Sequence, residues 1–161
     1  MTVFDPRDYR DALGRFATGV TVVTTRDADG QPVGVTANSY NSVSLDPPLI
    51  LWSLAKSAGS MAAFEQAERF AVHILSHEQE AIAKRFAARG LDKFADLDFD
   101  LHETGVPILA DCSARLLCET VHRYEGGDHK IFVGRVYSFE KQDHPPLLFH
   151  LGRFARVHHP A

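Results

Sequence analysis

The stretch ARLLCETVHRYEGGDHKIFVGRVYSFE, residues 114–140, decides the fold. Ala114 to Tyr124 and Lys130 to Glu140 read as two long strands, rich in the β-branched and aromatic residues that suit a pleated surface. Between them lies Glu125-Gly126-Gly127-Asp128-His129, whose adjacent glycines supply the positive φ angles that a tight hairpin needs. Upstream the same logic recurs. Val20 to Thr25 is a β-branched run, Asp29-Gly30 is a turn signal, and Val33 to Asn38 is expected to return antiparallel to the first strand. Leu49 to Trp52 is apolar throughout, which suggests a strand buried on both faces, and Phe70 to Leu75 is a further strand. Downstream, Pro145-Pro146 breaks the chain before a short final strand, Leu147 to Leu151.

Helical signals are few and short. Asp5-Pro6 reads as a cap followed by proline at the first helical position, with Tyr9, Leu13 and Phe16 on one face of a helix running to about Ala17, before Gly19. Ser57 or Ser60 is placed to cap a short helix through Met61 and Phe64. Ser76-His77-Glu78-Gln79 matches a capping box ahead of Ile82, Arg85 and Phe86. Arg89 to Pro107 is polar and glycine-punctuated, a long loop of the kind that forms lids or binds ligands. About seven hairpin-connected strands with two or three inserted helices favour an antiparallel closed or partly closed barrel. Regular βα alternation is missing, which disfavours a doubly wound sheet.

A chain of 161 residues supports one domain, residues 1–161, with a real core. Apolar residues are 45% and charged residues 24%, the balance of a folded globular chain. Seventeen Lys plus Arg against 21 Asp plus Glu leave a net charge of −4 with no dense basic block, so a nucleic-acid partner is not expected. No apolar run is long enough to span a bilayer and the start lacks a signal-peptide layout, so a cytoplasmic protein without membrane attachment is expected. If Cys112 and Cys118 share a strand they lie about 20 Å apart, beyond disulfide reach, and read as buried thiols.

Dinucleotide-fingerprint, P-loop, zincin and nucleophile-elbow motifs are all missing. His73 with His77, or His158 with His159, are the closest histidine pairs, and neither brings a third ligand, so no metal site is assigned. Three polar features remain. Thr36-Ala37-Asn38-Ser39-Tyr40-Asn41-Ser42-Val43-Ser44 offers donors and acceptors that suit a heteroaromatic ring edge or a phosphate, or is an ordinary polar loop. Ser53-Leu54-Ala55-Lys56-Ser57 precedes a helix start and suits a phosphate, or is a capped helix with a solvated lysine. His129 beside Asp128 at the hairpin tip is a ligand-facing group or a turn residue.

The chain resembles the flavin reductase domain family, the small reductase components of two-component flavin monooxygenases. The resemblance rests on Phe16-Ala17-Thr18-Gly19-Val20-Thr21-Val22-Val23-Thr24, Gly34 to Ser39 with Ser42 to Pro48, Phe70 to Leu75, and Gly127-Asp128-His129 leading into Phe132-Val133-Gly134. These segments are collinear and span nearly the whole chain. The resemblance implies a mainly β, homodimeric FMN-binding split barrel that uses NADH or NADPH to reduce FMN or FAD and passes reduced flavin to a partner oxygenase. It also implies roles. Thr36, Ala37, Asn38 and Ser39 meet the isoalloxazine edge; Ser53, Leu54, Ala55, Lys56 and Ser57 lie near the ribityl chain and phosphate; Lys93 and Phe94 belong to a loop that closes on the flavin; and His129 lies where the nicotinamide stacks. His73 stands where the family commonly has asparagine, and Phe154 where tyrosine is frequent.

Hydride transfer between two cofactors needs no protein nucleophile or general base, which agrees with the missing triad and metal motifs. Backbone amides with Asn38 and Ser39 are placed to stabilise charge developing on the reduced ring. Two alternatives stay open: a flavin-binding split barrel that transfers electrons or senses without reductase turnover, and a small-ligand barrel with no flavin.

Overall fold

The computed structural model describes residues 4–160. Three short helices, α1 (Pro6–Gly14), α2 (Met61–Gln66) and α3 (Glu80–Ala87), punctuate the strands. In chain order these are β1 (Thr18–Gly19), β2 (Thr21–Arg26), β3 (Pro32–Ala37), β4 (Asn41–Leu45), β5 (Pro48–Ala55), β6 (Arg69–Ile74), β7 (Asp100–Leu101), β8 (Pro107–Ile108), β9 (Ala114–Gly126), β10 (His129–Lys141), β11 (Leu147–His150) and β12 (Arg153–Arg156). Seven of them form one sheet in the order β3-β2-β6-β9-β10-β5-β4, antiparallel throughout. β1, β11 and β12 make a small second sheet, and β7 pairs with β8.

The expected antiparallel architecture holds, but hydrogen bonding does not close the barrel. β3 and β4 are consecutive in the chain and lie at opposite edges of the seven-stranded sheet. Only residues 38–40 join them, four Cα–Cα steps that span at most about 14 Å. The sheet must therefore curl until its two edges almost meet, leaving an open seam. Through the curl, one apolar cluster packs Trp52 with Phe64, Phe70, Phe132, Val23, Val72 and Cys118. A second joins Phe86, Phe94, Leu75, Val22 and Leu147 under α3.

Several expectations are corrected. α1 stops at Gly14 instead of continuing to Ala17, because the Gly14 carbonyl accepts from the Leu151 N–H at 3.0 Å and Thr18–Gly19 then pairs with β11. Its face of Tyr9 and Leu13, with Phe16 just beyond, stays exposed. β5 is not buried on both faces; Ile50, Trp52 and Leu54 point inward and the alternate residues are half-exposed. The 36–44 run is not one loop, since β3 claims Thr36 and Ala37 and β4 begins at Asn41. Half of the capping box forms, with Gln79 Oε1 accepting from the Ser76 N–H at 3.0 Å, yet α3 begins only at Glu80 because Ser76 bridges to Pro146. At the 126–129 hairpin only Gly127 has positive φ (70°), since Gly126 ends β9. Leu151 and Gly152, both at positive φ, turn the chain into β12, a strand the sequence did not suggest. Cys112 lies ahead of β9 rather than on it, and both cysteines are free and buried. Among the described residues no helix is long and apolar enough to cross a membrane.

Candidate functional site

Along β3 lies a cavity of about 720 Å³. Its walls are residues 32–39 from β3 and its exit, 53–55 and 57–60 from β5 to the start of α2, 86–94 from the last residues of α3 into the loop that follows, and His129 at the hairpin tip. Eleven of the twelve residues nominated from the sequence line it: Thr36, Ala37, Asn38, Ser39, Ser53, Leu54, Ala55, Ser57, Lys93, Phe94 and His129. Lys56 does not. Its ammonium pairs with Glu125 at 2.5 Å, and Glu125 is held below the ordinary carboxylate range by that contact.

Two hydroxyls expected to face a ligand are engaged by the protein. Thr36 donates to the Ala83 carbonyl at 2.6 Å and so ties β3 to α3. Ser39 both donates to the Ser53 carbonyl and accepts from the Ser53 N–H, each at 2.9 Å. That leaves exposed Asn38 as the polar side chain of this wall with its amide uncommitted among the described residues. On the opposite wall, the Ala58 N–H bonds the Ala55 carbonyl at 2.9 Å, turning the chain so that Ser57 and Ser60 border the cavity. Ser60 precedes α2 without capping it through its side chain.

The third wall is pinned from beneath. Lys93 Nζ donates to the Phe86 carbonyl at 2.7 Å and the Gly34 carbonyl at 3.2 Å, and burial lowers its pKa. Arg85 holds the same loop through the Lys93 carbonyl at 2.7 Å and the Ala95 carbonyl. Phe94 is buried and packs edge-on against Phe86 and Phe99, with ring centroids 5.1 and 4.9 Å apart. Gly34 permits this approach: a Cβ there would stand 2.5 Å from the Phe86 ring. Lys93 and Phe94 thus border the cavity while acting as the clamp of its loop. Val33, Gly34, Val35, Arg89 and Leu91 also line it and were not nominated, because only the packing of β3 against α3 brings them there.

His129 opens β10 opposite Ala55, and the preceding Asp128 carbonyl accepts from the Lys56 N–H at 2.9 Å. Its Nδ1 lies 2.7 Å from Asp128 Oδ1, and the hydrogen bond from the imidazole holds the exposed Asp128 carboxyl below its usual range. His73 is elsewhere, fully buried in β6. Its Nδ1 contacts the Val22 carbonyl at 3.0 Å, and its Nε2 accepts from the Leu109 N–H at 3.1 Å. Those partners require a neutral ring with the proton on Nδ1, and burial pushes its pKa down to about 4. The departure at position 73 therefore falls in the core and not in the cavity. The described residues contain no group of three side chains suited to a metal.

A family model described as flavin reductase like domain matches residues 13–158. The chain is 46% identical over 150 residues to the FMN reductase (NADH) SmoA of Agrobacterium fabrum, covering 93% of this chain and 85% of that protein. It is 42% identical over 154 residues to HsaB of Rhodococcus jostii, the reductase subunit of a flavin-dependent monooxygenase, covering 95% and 78%. A probable flavin reductase of Rhizobium meliloti is 51% identical over 138 residues, 86% of this chain, which spans only 44% of that protein's length. Among solved structures, the Streptomyces globisporus NADH:FAD oxidoreductase SgcE6, in complex with NAD and FAD fragments, superposes with a TM-score of 0.89 at 40% identity, covering 98% of each chain.

Proposed function

The chain belongs to the flavin reductase like domain family, and from that premise we propose that it is an NAD(P)H:flavin oxidoreductase, reducing FMN or FAD and supplying reduced flavin to a partner monooxygenase. The observation that carries the reading is that one cavity brings together Thr36 to Ser39, Ser53 to Ala55, Ser57, Lys93, Phe94 and His129. The relatives named for NADH-dependent flavin reduction and for service to a monooxygenase point the same way. Residues 1–161 act as one domain in this reading. Homodimer formation is supported by the exposed apolar side chains of α1, none of whose residues is buried. A reducing cytoplasmic setting agrees with the two free, buried thiols.

The residues present fit a flavin. Leu54, Ala37 and Ala55 offer apolar surface, the uncommitted Asn38 amide can meet a heteroaromatic edge, and Ser57 and Ser60 border the region toward a polar tail. Flavin and nicotinamide, when bound, supply the chemistry of hydride transfer between them. The chain's own work is to bind and orient. Backbone groups of 36–39, kept in place by the Thr36 and Ser39 hydrogen bonds, form a preorganised polar edge against developing negative charge. His129, tethered through Nδ1 to Asp128 and half-exposed on the cavity lining, orients the nicotinamide in this reading and moves no proton.

The deciding experiment mixes the protein anaerobically with FMN or FAD and NADH or NADPH and follows loss of oxidised-flavin absorbance against a protein-free control. Rapid bleaching is expected, and the active pair names donor and acceptor. Flavin binding without bleaching would leave an electron-transfer module, and no binding would overturn the assignment.

A further inference from the structure

We propose that Ser39 is a positioning residue whose hydroxyl forms the last rung across the open seam and sets the width of the flavin cavity. The proposal rests on the flavin reductase reading above. β4 pairs with β5 only as far as Asn41 opposite Leu51, whereas β5 runs on to Ala55 with β10 along its other side. In an antiparallel strand each residue turns its N–H and C=O to the same side, and successive residues alternate sides. Beyond Leu51 the next residue facing the β4 side is Ser53, where β4 has not yet begun. The Ser39 hydroxyl takes both Ser53 groups at 2.9 Å, replacing with one oxygen the pair of bonds that a neighbouring strand residue would exchange.

The consequence is geometric. Residues 36–39 on one side and 53–55 with Ser57 on the other line the cavity, and this clasp fastens one to the other at the three-residue crossing from β3 to β4. The hydroxyl proton is committed to Ser53, so it is not the donor that meets a flavin ring edge; Ser39 acts through the backbone it holds. Without the clasp, both Ser53 groups lose their partner and the crossing is free to drift from β5. Displacements of about 1 Å in a binding wall are enough to spoil ligand placement.

Ser39→Ala and Ser39→Thr are compared with the unaltered protein by two readouts. In flavin-free protein, the Ser53 amide is expected to exchange with deuterium at least about tenfold faster in Ser39→Ala, as an N–H that has lost its acceptor. In steady-state assays the KM for flavin rises about tenfold while the KM for the nicotinamide stays within about twofold. Ser39→Thr, which keeps the hydroxyl, restores both. A raised flavin KM with unchanged Ser53 exchange would mean that the hydroxyl touches flavin directly, and would overturn the proposal. Faster exchange with an unchanged flavin KM would reduce the clasp to a structural detail, overturning it equally. If the unaltered protein reduces no flavin, the functional reading fails, and slow, unchanged Ser53 exchange in Ser39→Ala would separately refute the clasp.

Discussion

Lowering the pH is expected to destabilise the protein through one residue, His73. The imidazole is fully buried, and its two nitrogens serve opposite roles: Nδ1–H donates to the Val22 carbonyl, and Nε2 accepts from the Leu109 N–H. Protonation places a second N–H on Nε2, facing a donor, and a charge in an apolar core. The folded-state pKa accordingly falls from 6.5 to about 4. A group that folding keeps neutral contributes stability that is complete above its unfolded pKa and is lost as pH falls toward the folded one. Linkage puts the loss at about 2 kcal/mol by about pH 5, approaching about 3 kcal/mol below pH 4. The assay is urea denaturation at about pH 7.5 and pH 5, for the unaltered protein and for His73→Asn, whose amide keeps a donor and an acceptor but cannot titrate. The remaining eight of the nine histidines are common to both proteins and cancel in the difference. The unaltered protein should lose about 2 kcal/mol more than His73→Asn between the two pH values. Equal losses would refute the reasoning.

Gly34→Ala sets a methyl against the Phe86 ring, 2.5 Å from its nearest carbon, and should cost about 1–3 kcal/mol by urea denaturation while loosening the 88–94 loop to protease. An unchanged midpoint would show that Phe86 can move aside. His129→Ala should raise the KM for the nicotinamide about tenfold and leave the flavin Kd within about twofold, read by steady-state kinetics and flavin titration; no change in either affinity or turnover would remove His129 from the site. Burial pushes the thiols of Cys112 and Cys118 up to about 11 and about 12, so neither should react with iodoacetamide at about pH 8 in the folded protein, and both should react in urea. Mass spectrometry reads the number of labels, and fast labelling of the native chain would contradict the packing described.

Local chemistry told a good deal in advance. The Asp5 cap and Pro6, the 126–129 hairpin and the β-branched strand β2 depend on neighbours a few residues away, so a reading of adjacent residues finds them. The polar run at 36–39 and the segment at 53–57 were legible as candidate ligand surfaces because such concentrations of hydroxyl and amide groups stand out in any context. Their division of labour was not. Whether a serine hydroxyl faces a ligand or a backbone depends on what lies across from it, and residues 39 and 53 are brought together only by the curl of seven strands. Lys56 and Lys93 make the same point. As residue types either suits a phosphate, but Glu125 engages one and the carbonyls of Phe86 and Gly34 engage the other.

What the sequence alone determined is the alternation of strands and turns, the antiparallel class and the polar runs at 36–39 and 53–57 from which part of the cavity wall is drawn, since all of these follow from side-chain type and short-range spacing. Tertiary structure decided where α1 stops, which strands are half-exposed, that the barrel stays open at β3 and β4, and which of the nominated polar groups remain free. Those outcomes turn on hydrogen bonds and contacts between residues far apart in the chain, such as Gly14 with Leu151, His73 with Val22 and Leu109, and Gly34 with Phe86. No local pattern encodes such partners; they exist only once the whole sheet has curled and its elements have packed.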